Sequence, residues 1–499
     1  MGADEPEAFS DALRAALTDS GAMGATVRQL ARELDDRPPR VEAALADLAR
    51  QGRVLRMGRG LWMLRDYERL TERDDFVDPS EFEERFAHEN GVGLGRYTGP
   101  ITFRSNEQRP IHRWWPYVQG YSAEFVGGVL LRHELPTGRT VLDPFAGSGT
   151  TLVEARRRGM RAIGTELLAP AVLAARVKTA FELDPRQLER AGERLLARAR
   201  RGPCAPIPFL RETRRQFSPR ALTDLRRLRA TLPGDGDPLD DAVRLAFGRI
   251  LIPSSRLHRS PCLGYARRSS GRPIPVRDRY RAAIGEMAAD LRALAPERES
   301  WGPPATIERR DAREGNWRRE SIDLAITSPP YVNGMDYVMN YKVDLAWLGY
   351  ASSYGDLAAL RHAEVACDNL PRAEASAYLA RTDVPDPWLP EILGRIRDNL
   401  RRKGTYRRDD MHGIVHRYFA DLVPVLRGVH SALVPKGRFV VVVGDSLIAG
   451  TYIPGDLILA RLGAALGFTI ESVEVARTRR SGQRRTFPLR ESVVTLRKS

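Results

Sequence analysis

Short apolar runs that end in polar or turn residues recur through most of the chain and predict the strands of one sheet. We assign seven of them, at residues 139–144, 161–166, 305–311, 322–327, 437–445, 468–475 and 491–496. The first five alternate with helical patterns, which favours parallel strands joined by crossover helices. The last two predict an antiparallel hairpin. The sequence therefore predicts an α/β fold built on a seven-stranded sheet.

A different pattern occupies residues 1–70, where three helical segments precede a hairpin. The first helix is predicted at 8–17, Thr26 can cap the second, and Pro38 suits the first turn of the third. Two apolar runs then flank a turn at 58–60. Three helices and a hairpin resemble a winged helix, in which the third helix enters the major groove. Such modules also dock proteins, and both roles stay open. The DNA contacts implied are Arg37, Arg40, Arg56 and Arg59.

Composition shifts divide the rest of the chain. Residues 71–99 are acidic and then rich in glycine, which predicts a linker. The catalytic domain is predicted at 100–499, with helical insertions at about 180–300 and about 332–415. The first insertion is rich in arginine.

The charge balance favours a polyanionic partner. The 499 residues carry a formal net charge of +15 and the sequence pI is about 10.0. Neutralising phosphates with basic side chains releases counterions, so nucleic acid is the natural partner. The competing interpretation is an arginine-rich proteome with basic faces that are merely solvated.

Cysteine content and hydropathy indicate the cellular compartment. Cys204, Cys262 and Cys367 lack metal-ligand spacing, which predicts no zinc site and a reducing environment. We see no apolar run long enough for a membrane span and no apolar signal segment at the acidic N-terminus. We therefore expect a cytoplasmic protein without a metal.

The first chemical signature is Val-Leu-Asp-Pro-Phe-Ala-Gly-Ser-Gly-Thr-Thr at residues 141–151. It ends a strand, turns at two glycines and begins a helix. Glycines let the backbone pass close to a ligand, and the absence of a following lysine argues against a phosphate-binding P-loop. Glu166 ends the next strand, where a carboxylate can accept both hydroxyls of a ribose. The alternative for Glu166 is an exposed acid at a strand end.

The second signature is Leu-Ala-Ile-Thr-Ser-Pro-Pro-Tyr at residues 324–331, an apolar strand that runs into a stiff loop. Together the two signatures resemble those of the S-adenosylmethionine (AdoMet)-dependent amino-methyltransferases of DNA, the N4-cytosine and N6-adenine enzymes. The resemblance implies the Rossmann-like methyltransferase fold, AdoMet as cofactor, and a base flipped out of double-stranded DNA as substrate.

The same resemblance implies a set of cofactor residues. In the family the glycine loop cradles the methionine end of AdoMet, and a later strand-end acid contacts the adenine amino group. An aromatic–proline segment before the glycine loop closes over the methionine. For the later acid a cap or salt bridge is the alternative, and for the aromatic residues a place in the core. The residues carried over are Asp143, Phe145, Gly147, Gly149, Thr150, Asp311, Trp115 and Tyr117, with Glu166 at the ribose.

The catalytic role falls on Ser328, Pro329, Pro330 and Tyr331. An exocyclic amine is a poor nucleophile because its lone pair is conjugated into the ring. The Ser328 hydroxyl and the Pro329 carbonyl can accept its two hydrogens and free the lone pair, and the prolines hold these acceptors in place. Tyr331 offers a ring on which an extruded base can stack.

We therefore predict a site-specific DNA methyltransferase that acts on N4 of cytosine, with N6 of adenine as the close alternative. The lean toward cytosine rests on Thr327-Ser328, which is seen more among N4-cytosine enzymes. Two other classes stay open: an RNA methyltransferase such as a guanine-N2 enzyme of tRNA, and a DNA-binding regulator that has lost activity. Partner proteins of a restriction or defence system are conceivable. The sequence does not give the recognition site.

Overall fold

The computed structural model describes most of the chain. The described ranges are residues 5–20, 25–56, 61–64, 79–117, 120–259, 262–266, 273–332, 336–365, 377–380, 384–403, 410–480 and 488–499.

The N-terminal unit has three helices and a small antiparallel sheet. These are α1 (Glu5–Ser20), α2 (Val27–Glu33), α3 (Pro38–Arg50), β1 (Ala25–Thr26), β2 (Val54–Arg56) and β3 (Leu61–Leu64), with β3 between β1 and β2. Thr26 caps α2, since its side chain accepts from the Gln29 backbone N–H and the Gln29 side chain accepts in return. The predicted helices and strands are confirmed. The turn at 58–60 lies outside the described residues, and the winged-helix assignment stays a prediction.

The large domain is built on one eight-stranded sheet. The large domain also contains two small hairpins that lie outside this sheet. The strands in chain order are β4 (Leu94–Arg96), β5 (Thr140–Asp143), β6 (Arg161–Glu166), β7 (Leu257–Arg259), β8 (Leu263–Tyr265), β9 (Thr306–Arg309), β10 (Ile322–Thr327), β11 (Leu433–Gly444), β12 (Ser446–Ile448), β13 (Thr451–Ile453), β14 (Phe468–Arg480) and β15 (Pro488–Lys498). The main sheet has the order β4-β14-β15-β11-β10-β5-β6-β9.

The directions of these strands match the predicted arrangement. Strands β9, β6, β5, β10 and β11 pair in parallel, and β15 runs antiparallel between β11 and β14. The seven predicted strands are therefore confirmed, together with the antiparallel hairpin near the C-terminus. Parallel strands require crossover connections, and the helices between them supply these.

Helices cover both faces of the sheet and form the two insertions. In chain order they are α4 (Pro79–Asn90), α5 (Ala123–Arg132), α6 (Thr150–Arg157), α7 (Ala169–Thr179), α8 (Pro185–Arg201), α9 (Thr213–Gln216), α10 (Pro219–Arg229), α11 (Pro238–Leu251), α12 (Val276–Leu294), α13 (Tyr337–Trp347), α14 (Tyr354–Ala363), α15 (Trp388–Lys403), α16 (Met411–Ala432) and α17 (Gly455–Ala465). Helices α8, α10, α11 and α12 pack with α13 around one apolar core, so the two insertions meet beside the sheet.

The linker predicted at 71–99 is wrong for its described part. Residues 79–96 contain α4 and the edge strand β4, which pairs in parallel with β14. Phe82 and Phe86 of α4 are buried in the core of the large domain. Burial of two aromatic side chains contributes several kcal/mol at about 25 cal/mol per Å² of apolar surface, so this segment folds as part of that domain.

Among the described helices, none combines the length and the apolar character that a membrane crossing requires. Cys204 and Cys262 are exposed, and Cys367 lies outside the described residues.

Candidate functional site

Two adjoining clefts open at the carboxyl ends of the parallel strands, where α/β folds bind their ligands. The empty space of each cleft, including the open solvent at its mouth, is about 840 Å³ for the narrow cleft and about 2210 Å³ for the wide cleft. The glycine loop after β5 lines the narrow cleft, and arginines line much of the wide one. Residues that line both clefts are Phe103, Tyr117, Gly120, Tyr121 and Ser328.

Asp143 lies beneath the glycine loop. It is 1% exposed and accepts hydrogen bonds from Tyr121 Oη (2.6 Å), Thr327 Oγ1 (2.7 Å) and the Phe145 N–H (3.1 Å). Burial raises the pKa of the Asp143 carboxyl, and the bonds from Tyr121 and Thr327 oppose that rise. Asp143 thus ties the ends of β5 and β10 together. It was predicted to face the methyl donor, but it does not line either cleft and orients the loop instead.

Gly147 and Gly149 lack side chains for different reasons. Gly147 has φ +50° and lines the narrow cleft, and a Cβ there would lie 2.8 Å from Tyr117 Cε1. Gly149 has φ +85°, and its Cβ would lie 2.9 Å from the Ala175 Cβ of α7. The structure therefore corrects the role of Gly149, which permits close packing of α6 on α7 and does not line the cleft. Phe145 and Thr150 also line the narrow cleft.

Glu166 anchors the glycine loop from the end of β6. Its two carboxylate oxygens accept from the Gly147 N–H (2.9 Å) and the Leu168 N–H (2.8 Å). Burial raises the pKa of Glu166 to about 7, although both backbone bonds favour the charged form. Glu166 lines the narrow cleft, so its remaining lone pairs are placed for a ligand. The alternative of an exposed strand-end acid is wrong, since Glu166 is 8% exposed.

The aromatic segment before the loop divides between the clefts. Tyr117 lines both and stacks on Tyr337 and Tyr341, with ring centroids 6.2 and 5.6 Å apart. Trp115 is 1% exposed and stacks on Tyr341 at 6.4 Å. It lines the wide cleft only. Tyr117 therefore lines the narrow cleft, as predicted for a cofactor residue. Trp115 does not line that cleft and belongs to an apolar core beside the wide one.

Asp311 lines the narrow cleft, as predicted for a cofactor residue, and it also forms the cap and the salt bridge that were the alternative to that prediction. It caps the short helical turn Ala312–Glu314 by accepting from the Arg313 N–H (2.9 Å). It also pairs with Arg313 Nη2 at 2.6 Å. Both roles are compatible because each carboxylate oxygen accepts more than one bond.

The Ser-Pro-Pro-Tyr loop lies where the two clefts meet. Ser328 lines both clefts, Pro330 lines the narrow one and Tyr331 lines the wide one, whereas Pro329 is buried and lines neither. The Tyr331 hydroxyl donates to Glu491 Oε1 at 2.5 Å. Burial, followed by the nearby Glu491 carboxylate, raises the Tyr331 pKa well above its ordinary value, so the hydroxyl stays protonated.

Sequence analysis missed several residues around this loop. Glu491 of β15 also pairs with Arg477 of β14, and the Arg479 guanidinium lies 5.3 Å from the centre of the Tyr331 ring. Tyr121 holds Asp143. The first three lie about 150 residues beyond Tyr331 on the hairpin, and no motif marks them. Only the sheet order, which places β15 beside β11 and β14 beside β15, could have found them.

Comparison with known proteins points to the same chemistry. A family model described as DNA methylase matches residues 128–175, which include the glycine loop. The Type II methyltransferase M.BsoBI of Geobacillus stearothermophilus is 23% identical over 418 residues, covering 74% of this chain and 80% of that protein. The Type II methyltransferase M.AvaI of Nostoc sp. is 23% identical over 452 residues, covering 82% and 90%. Among solved structures, a SAM-dependent methyltransferase from Methanosarcina mazei has a TM-score of 0.26 at 10% identity, covering 74% of this chain and 96% of that one.

The family match and the two relatives indicate an AdoMet-dependent methyltransferase. The resemblance drawn from the motifs, to the amino-methyltransferases of DNA, is thereby confirmed. The narrow cleft suits the cofactor, because Gly147 borders it without a side chain and acids line it at Glu166 and Asp311.

We expect the raised pKa of Glu166 to make cofactor affinity depend on pH. At pH 6 most of the Glu166 carboxyl is protonated, and at pH 8 it is ionised and a stronger acceptor for ribose hydroxyls. We expect affinity for S-adenosylhomocysteine to rise about tenfold between these pH values. Calorimetric titration measures it. Glu166→Gln should bind weakly and show a smaller rise between these pH values, and an equal rise in both proteins would contradict the assignment.

Proposed function

We propose that the protein transfers a methyl group from AdoMet to the exocyclic amino nitrogen of a base flipped out of double-stranded DNA, and that this nitrogen is N4 of cytosine. The observation that carries the proposal is the position of Ser328, which lines both the cofactor side and the wide cleft. A methyl donor in one cleft and a base in the other would meet at this side chain. Mass spectrometry of nucleosides from DNA of a host that expresses the chain tests it, with N4-methylcytosine expected.

The loop residues account for activation of the amine. AdoMet supplies an electrophilic methyl group. The Ser328 hydroxyl, which lines both clefts, accepts one amine hydrogen, and the base must reach past it to the carbonyl of the buried Pro329 for the second. The two bonds draw the nitrogen lone pair out of conjugation with the ring. The loop follows directly on β10, whose end is fixed through Thr327 and Asp143, so the acceptors are held in place before the base arrives.

Tyr331 is fixed as a stacking platform. Its hydroxyl is held by Glu491, and that carboxylate is in turn paired with Arg477. A ring held at its far end loses little conformational freedom when a base stacks on it. Arg479 lies over the ring, and its guanidinium would either share a flipped base with Tyr331 or move aside to admit it.

The wide cleft suits a nucleic-acid backbone. Its lining includes more arginines than acids: Arg104, Arg113, Arg249, Arg259, Arg477 and Arg479, against Glu107 and Glu491. Several of these arginines already have carboxylate partners, as Arg113 has in Asp290 and Arg259 in Asp344. The paired arginines therefore add less to the field than their number suggests, and we assign the steering of DNA chiefly to Arg104 and Arg479.

N6 of adenine is the second candidate. Adenine and cytosine both present an exocyclic amine beside a ring nitrogen, so the same acceptors serve either base. The choice of cytosine rests on Thr327-Ser328. Of these two residues, Thr327 donates its hydroxyl hydrogen bond to Asp143, and Ser328 lines the clefts. An RNA substrate or an inactive regulator is less favoured, since the methyl-transfer loop and the cofactor loop are both intact. Cytoplasmic location and restriction or defence partners remain part of the proposal.

We assign DNA contact to the N-terminal unit as well. Arg37 precedes α3 and Arg40 lies in its first turn, while Arg56 ends β2. Deleting residues 1–70 should weaken binding to double-stranded DNA and lower the slope of log affinity against log salt by roughly one for each phosphate that the unit neutralises. Fluorescence anisotropy at several salt concentrations measures the slope, and AdoMet affinity of the truncated chain is the folding control. An unchanged slope would favour protein docking instead.

A further inference from the structure

Glu364 is a second buried glutamate that lines the narrow cleft, and it belongs to the second insertion rather than to the sheet. It directly follows α14, is 6% exposed and lines the cleft together with Tyr337. One carboxylate oxygen accepts from the Val338 N–H at 2.8 Å, in the first turn of α13. The other oxygen, Oε2, is buried and has no hydrogen-bond partner among the described residues.

A buried carboxylate oxygen without a donor destabilises the folded protein, and native proteins rarely leave one unsatisfied. The surroundings do not compensate for it. Burial raises the pKa of Glu364 well above its ordinary value, and the like charges of Asp336 and Glu166 add to the rise. Arg361 is the nearby cation, and it is engaged with Asp336 at 2.8 Å. The missing donor is therefore expected from whatever occupies the cleft.

The neighbours of Glu364 indicate which part of the cofactor is close. The carbonyl of Ala363 accepts from Arg313 Nη2 at 2.9 Å, and Arg313 also pairs with Asp311. Ala363 and Glu364 thus lie on the side of the cleft formed by the ends of β6 and β9. That side carries Glu166 and Asp311, the acids assigned to the ribose and adenine, whereas the glycine loop assigned to the methionine end lies after β5.

We propose that Glu364 is an additional cofactor-binding residue, whose Oε2 accepts a hydrogen bond from the nucleoside half of AdoMet. Its donors in that half are the ribose hydroxyls and the adenine amino group. Glu364 would act together with Glu166 on the same side of the cleft, so the insertion completes the cofactor site. The inference rests on AdoMet binding in the narrow cleft.

The test exploits the two unlike oxygens of this side chain. Glu364→Gln keeps an acceptor for Val338 and replaces the second oxygen with an N–H donor, so it retains the cap of α13 and removes only the acceptor toward the cleft. We expect affinities for AdoMet and for S-adenosylhomocysteine to fall together by about tenfold or more, because both share the nucleoside. The melting temperature without ligand should be unchanged or raised. Glu299→Gln, an exposed carboxylate outside both clefts, is the matched control and should change neither affinity.

Three outcomes are distinguishable by calorimetry. Unchanged affinity for both ligands in a folded Glu364→Gln variant would overturn the inference while leaving the function intact. A loss confined to AdoMet would assign Glu364 to the sulfonium and overturn the nucleoside contact. Failure of the wild-type protein to bind either ligand would remove the cofactor site itself. Glu364→Asp, which keeps the charge and shortens the reach, should show a loss for both ligands and serves if the Gln variant does not fold.

Discussion

Replacing Gly147 with aspartate should abolish measurable AdoMet binding, a loss of at least about 100-fold or roughly 2.7 kcal/mol. The backbone at Gly147 has φ +50°, which costs a non-glycine residue about 1–2 kcal/mol. Its Cβ would lie 2.8 Å from the Tyr117 ring, and the new carboxylate would lie in a cleft that already contains Glu166. Isothermal titration calorimetry with AdoMet measures the effect.

Gly285→Asp provides the matched control for that substitution. Gly285 lies in α12, and a Cβ there meets no atom within 4 Å. The control adds the same charge in open space and should bind AdoMet like the wild type. Unchanged AdoMet affinity in a folded Gly147→Asp protein would show that the glycine loop does not hold the cofactor.

Tyr331→Ala should lose most methyl transfer while AdoMet affinity stays near the wild-type value. Stacking of a base on an aromatic ring contributes roughly 1–3 kcal/mol, which corresponds to a loss of about 5- to 150-fold. Tyr331 lines the wide cleft and not the narrow one, so the cofactor should bind as before. Single-turnover methylation of a DNA duplex measures the first quantity and calorimetry the second.

Tyr331→Phe distinguishes the contribution of the aromatic ring from that of the hydroxyl group. This variant keeps the stacking surface and loses the hydrogen bond to Glu491. We expect it to retain more activity than Tyr331→Ala, because the ring remains packed beside Gly444 and beneath Arg479. Equal activity of Tyr331→Ala and the wild type would remove the stacking role, and equal losses in both variants would transfer the effect to the hydroxyl.

Much of the sheet could be predicted because its strands are apolar runs that end in recognisable residues. Strands β5, β6 and β10 end near Asp143, Glu166 and Thr327, as the patterns indicated. The edge strand β4 was missed, since Leu94–Arg96 is three residues long, partly exposed and without hydrophobic alternation. Its place beside β14 depends on backbone pairing that no side-chain pattern records.

The candidate site was predictable where one motif supplies both the residue and its position. Phe145, Gly147, Thr150 and Glu166 all line the narrow cleft. The motif did not reveal that Asp143 acts beneath the loop or that Gly149 is required by the packing of α7.

Other contributions depend on tertiary contacts across long separations. Glu491 reaches Tyr331 across 160 residues, and no spacing rule connects them. Glu364 lies in an insertion that matches no motif we recognise, and its orphaned oxygen is visible only when the chain is folded.

Methylation of an exocyclic amine of a DNA base can be measured with the purified protein. The most direct measurement incubates purified protein with AdoMet carrying a deuterated methyl group and double-stranded DNA, then digests the DNA to nucleosides for mass spectrometry. We predict deuterated N4-methylcytosine, abolished by Gly147→Asp. Deuterated N6-methyladenine instead would correct the base and retain the mechanism. Label on the cytosine ring carbon, or label in added RNA with none in DNA, would show that the protein does not methylate an exocyclic amine of a DNA base.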